Sequence, residues 1–85
     1  MILPTVHLNG TSRDALRLQY ATASRAVGEA VLALEEAYPN ARDYYVQGAD
    51  AFSIASREHS ARVRTLRDMR ADLDRILEHV DSVGL

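Results

Sequence analysis

Two long stretches without proline flank one short segment that has one. Both stretches carry apolar residues in alternating three- and four-residue steps, and few folds satisfy that pattern. The first seam is Leu16, Tyr20, Ala23, Val27, Ala30, Leu34 and Ala37, widened by Leu18, Val31 and Leu32. The second is Phe52, Ala55, His59, Arg62, Leu66, Met69, Leu73, Ile76 and Val80, flanked by Val63 and Leu77. Such spacing places apolar side chains along one helical stripe. It predicts helices over 12–38 and 50–81, joined by a loop over 39–49. Pro39 stops the first helix because it disfavours helical geometry at Tyr38 and lacks a backbone donor. Each helix would be on the order of 40 Å long, and a loop of this length lets them fold back on each other. The predicted fold class is all-α, a single antiparallel two-helix hairpin over residues 1–85.

The remaining residues form the ends. Residues 1–11 read as an extended arm with room for one edge strand, interrupted by Pro4. Asn9-Gly10 is a turn signal. Thr11 or Ser12 is the expected helix N-cap, with Thr11 and Asp14 spaced as a capping box. Asp50 is the expected N-cap of the second helix. Gly84 falls too late to mark a clean stop.

At 85 residues the chain makes one domain at most. It contains no cysteine, so no disulfide framework is available, and a structural zinc site is not expected from three histidines. A net charge of −2 argues against binding nucleic acid through a broadly basic face. The longest apolar run, Ala30 to Leu34, is too short for a membrane span. The first residues lack the pattern of a signal peptide, and the expected location is cytoplasmic. All ten basic residues are arginine. That suits two-pronged recognition of phosphate or carboxylate, and it equally suits an alanine- and arginine-rich, GC-biased coding sequence.

Two helices cannot enclose a core by themselves. The expected solution is a homo-oligomer, most simply a dimeric four-helix bundle. If the hairpin is centred on its loop, facing positions sum to about 90. Arg62 then lies near Gly28, and His59 near Val31. Arg62 and His59 would make a polar, anion-binding layer beside the small Ser24 and Gly28, since a buried guanidinium needs a partner. Alternatively, Glu58 pairs with Arg62 four residues on, and the arginine head stays in water. The other arginines of α-helical spacing, Arg64 with Asp68 and Arg70 with Asp74, read as a salt-bridged solvated face.

The loop holds a denser set: Asn40, Arg42, Asp43, Tyr44, Tyr45 and Gln47. Tyrosines can stack on a base, arginine can take phosphate, and the amides and carboxylate can read edges. A structural role is also available, with Arg42 paired to Asp43 and the tyrosines capping the bundle end. His7 and Asn9, on the arm, would lie at the opposite end near His79, and in an antiparallel dimer they would reach the partner's loop. Ser56 and Ser60 near His59 lack the geometry of a nucleophile. No enzymatic activity, cofactor or metal site is expected.

The stretches His7 to Ser12 (HLNGTS) and Pro39 to Gly48 (PNARDYYVQG) resemble those of a group of short proteins from tailed-phage genomes. The bend is also similar to that of phage anti-defence hairpins, which sequester cyclic nucleotide signals between subunits without cleaving them. Arg42 and Asp43 match the polar pair of that bend. The resemblance implies a non-enzymatic sponge in an infected bacterial cell, holding a cyclic oligonucleotide or a cyclic ADP-ribose type of signal. The ligand-binding residues would be Asn40, Arg42, Asp43, Tyr44, Tyr45, Gln47, His59, Arg62, His7 and Asn9. A small accessory protein that docks on a host or phage protein through its helical surface is the other expectation. DNA, RNA and membranes are not expected partners.

Overall fold

The computed structural model describes residues 1–83. Helix α1 spans Arg13–Glu36 and helix α2 spans Ala51–Ser82. They pack antiparallel as an all-helical hairpin, with no strand among the described residues. Gly84 lies outside those residues. No described helix is long and apolar enough to cross a membrane.

The caps explain the helix starts unevenly. Ser12 is the N-cap of α1, and its side chain accepts from the Ala15 amide at 3.1 Å. The Thr11–Asp14 capping box does not form, because Asp14 turns instead to Arg17. Asp50 precedes α2 but adopts a helical backbone (φ −96°, ψ −9°), so its side chain makes no capping bond. At the other end of α1, the Ala37 amide is shared between the carbonyls of Ala33 and Leu34. The acidic last turn of α1 is unfavourable against the helix dipole, and Arg67 of α2 offsets it by pairing with Glu35.

The connection corrects the expected register. Beyond Pro39 the chain makes two short 3₁₀ turns, Ala41–Asp43 and Tyr45–Gln47. The ring of Tyr44, between the turns, packs on Phe52, with centroids 6.5 Å apart. The segment therefore prolongs the α1 side of the hairpin alongside the first turns of α2. The reversal itself comes at Gly48, with φ 127° and ψ 170°, a backbone region open essentially to glycine alone. Moving the bend toward α2 shifts the pairing by about two helical turns. Gly28 faces Arg70, Ser24 faces Asp74, and Tyr38 faces His59. Arg62 does not lie beside Gly28, and His59 does not lie beside Val31.

The arm forms no strand. A lone strand has no ladder to join and would leave its backbone groups unpaired. It lies at the open end as expected, with His79 Nε2 donating to the Pro4 carbonyl oxygen at 2.9 Å. Arg13 ties the same end by donating to the Val83 carbonyl oxygen at 3.1 Å. Val80 is completely buried there.

The hairpin is a rod, 61 × 20 × 17 Å, with a radius of gyration of 18.6 Å. A compact chain of this length would have a radius of about 12 Å. Apart from Val80, the buried apolar core consists of Val31 and Val63.

Candidate functional site

Helix periodicity divides the contact line into two polar constellations. In the middle of the hairpin, Ser24 is 4% exposed. Its hydroxyl donates to Asp74 Oδ1 and accepts from Arg70 Nε, the latter at 3.2 Å. The Arg70 guanidinium lies over Gly28, where a Cβ would collide with Nη1. Arg70 and Asp74 were expected to pair with each other along α2; instead both reach across to one serine on α1. The Ser24 hydroxyl is thus bonded on both sides, and the cluster ties the helices in one register.

The second constellation lies toward the elbow. Tyr38, the residue before Pro39, meets His59 edge to face at a centroid distance of 5.2 Å and an interplanar angle of 73°. His59 is 5% exposed, and its Nε2 is buried with no hydrogen-bond partner. A buried polar atom left unsatisfied costs about 1–3 kcal/mol, so it calls for an explanation. The ring lines a cleft of about 410 Å³ with Tyr38, Ser60, Val63, Arg64 and Arg67. Clefts that hold small molecules begin at about 300 Å³ and combine apolar walls with a few polar groups. Here Tyr38 and Val63 supply the walls, Arg64 and Arg67 the charge, and Ser60 a hydroxyl. Glu35 and Asp68 stand on the rim, and Arg67 is already engaged by Glu35. Arg64 is in none of the ion pairs among the described residues.

The residues singled out in the loop are arranged differently from expectation. Asn40 is a structural cap, its Oδ1 accepting from the Arg42 amide at 3.0 Å. Arg42 and Asp43 are exposed and form no ion pair with each other among the described residues. Tyr44 is occupied by Phe52, whereas Tyr45 is 71% exposed and Gln47 is exposed. Arg62 is exposed too, and Glu58 is not its partner among the described ion pairs. His7 and Asn9 are at the opposite end, where the His7 ring lies over Gly10. Ten expected ligand residues are thus spread over both ends of the rod, and His59 alone sits in the cleft described above.

Tyr38, Ser60, Arg64 and Arg67 are the residues that sequence reasoning missed as a group. The one available signal was Tyr38, an aromatic at a helix end, and it was read only as the residue before a proline. Among the described residues, no cluster of three or more His, Asp or Glu is placed to hold a metal ion. Compared with protein-family models, curated proteins and solved structures, the chain matches none.

Proposed function

We propose that this protein binds and sequesters a small, planar, anionic molecule of the nucleotide-derived kind, without turnover, in the cytoplasm of an infected bacterial cell. The observation that carries the proposal is the unpartnered Nε2 of His59 beneath a cleft bearing Tyr38, Arg64 and Arg67. A planar ring stacks on Tyr38, a phosphate draws on Arg64, and the ligand supplies the bond that His59 lacks. Tyr38 is 56% exposed, and a ligand reaches the buried His59 nitrogen by shifting its ring. The likeness of the HLNGTS and PNARDYYVQG stretches to tailed-phage proteins supports the same reading. It moves the centre of binding from the loop tyrosines to the cleft beneath them.

Calorimetry against cyclic di- and trinucleotides and cyclic ADP-ribose forms tests the proposal. Saturable heat with at least one of them is expected, reduced at least about tenfold in affinity by Arg64→Ala, the loss of one charge-assisted contact. No heat with any of them at high protein concentration removes the proposal.

A second reading has one observation of its own. Tyr45 and Val46 stand 71% and 74% exposed on the second 3₁₀ turn, side by side. An exposed aromatic beside an aliphatic residue is a fitting anchor for a protein partner. Capture of one stoichiometric protein, lost with Tyr45→Ala and indifferent to nucleotide, would favour docking over sequestration.

A further inference from the structure

Most residues of the apolar seams that organise the sequence lie beside the line where the helices meet rather than on it; His59 and Val80 of the second seam are the buried exceptions. On α1, Ala23, Val27 and Ala30 each precede a residue of the contact line, Ser24, Gly28 or Val31. On α2, Leu66, Met69 and Leu73 each precede a residue that reaches α1, namely Arg67, Arg70 or Asp74. One position is about 100° of helix. Because the helices run antiparallel, a backward step on each turns toward the same side of the rod. The two seams therefore lie together on one face.

Burial agrees. Ser24, Gly28, Val31 and Val63 are buried, while Ala23, Val27, Leu34, Leu66 and Leu73 of the seams are half-buried and Met69 is 49% exposed. The charged side chains gather on the other face, where Arg25, Glu29, Glu35, Arg67, Arg70 and Asp74 line one groove. Among the residues of the two seams the charged member is Arg62.

We infer that this face packs against the same face of a second copy, giving a two-hairpin, four-helix bundle. Exposed area favours a copy of this size as the occupant. The chain exposes 6269 Å², whereas a compact protein of 9.4 kDa exposes about 5,000 Å². The surplus exceeds the roughly 800 Å² that each partner contributes to an ordinary stable interface. Charge favours self-pairing as well. An almost uncharged face meets its own image without like-charge repulsion, and a two-fold axis closes the assembly at two copies. The alanines Ala23, Ala30 and Ala37 let the second hairpin approach α1 closely. The pairing leaves the Tyr38–His59 cleft on the opposite face, so the calorimetric result and this one stand or fall separately.

Equilibrium sedimentation of the full chain at micromolar concentration should return twice the 9.4 kDa chain mass. Leu66→Glu combined with Met69→Glu should weaken the dimer by about 100-fold or more. Leu18→Glu and Leu32→Glu, exposed residues off this face, should leave the mass unchanged. Since the chain has no cysteine, a single Met69→Cys or Ala30→Cys reports the contact without unfolding the protein. These variants should cross-link as dimers with a short bismaleimide, and Leu32→Cys should not. A stable monomer, an open series of larger species, or preferential cross-linking through Leu32→Cys would overturn the inference.

Discussion

The middle of the hairpin and its elbow end both place a small buried polar group between the helices, and they treat it in opposite ways. In the middle, Ser24 is bonded on both sides, to Asp74 and to Arg70. Near the elbow, His59 presents a nitrogen with nothing to bond. Burial is nearly equal, 4% exposure against 5%. The difference is one of supply: α1 still runs beside α2 at Ser24, whereas it ends at Glu36, before the level of His59 is fully covered. A satisfied polar group fixes alignment. An unsatisfied one beneath a cleft is suited to a ligand, and the fold bears its cost meanwhile.

The largest test of that contrast is Ser24→Ala. Removing the hydroxyl strips Arg70 and Asp74 of their shared partner in a partly buried place and should lower stability by about 2 kcal/mol. Urea denaturation at fixed protein concentration measures it, the concentration being held because assembly would couple to folding. The same kind of swap at the elbow should act in the opposite direction. His59→Phe keeps a ring against Tyr38 and deletes the unpartnered nitrogen, so the midpoint should rise by the equivalent of about 1 kcal/mol. Affinity in the calorimetric assay should fall in the same variant. A loss of stability in His59→Phe would mean that the nitrogen is satisfied after all, and the contrast would collapse. The smallest effect is expected for Gly28→Ala. A methyl group there displaces the Arg70 guanidinium, while alanine in a helix interior gains up to about 1 kcal/mol over glycine. The two effects nearly offset, and a net change within about 1 kcal/mol is expected from the same titration.

Much of the hairpin was legible in the chain. Apolar spacing marked both helices to within two residues, Ser12 was one of two residues named as the cap, and Pro39 was read as the stop. Those features depend on neighbours in sequence, so local rules reach them. The pairing across the hairpin was not legible, because a loop of this length can place its reversal at any of several residues. Gly48 closed the Pro39 to Gly48 stretch without being recognised as the pivot, and the polar partners of Ser24 were lost with the register. The candidate site failed for the same reason. Tyr38 and His59 are far apart in sequence, and nothing local to either one announces the other.

The periodicity of apolar residues and the proline between them were sufficient to determine two helices and their antiparallel return, because those follow from steric and hydrogen-bonding rules within a few residues. Which side chains meet was decided only in three dimensions. A positive φ at one glycine and the packing of Tyr44 on Phe52 moved the bend and shifted the pairing of the helices, bringing serine, arginine and aspartate together between them and leaving one histidine nitrogen without a partner.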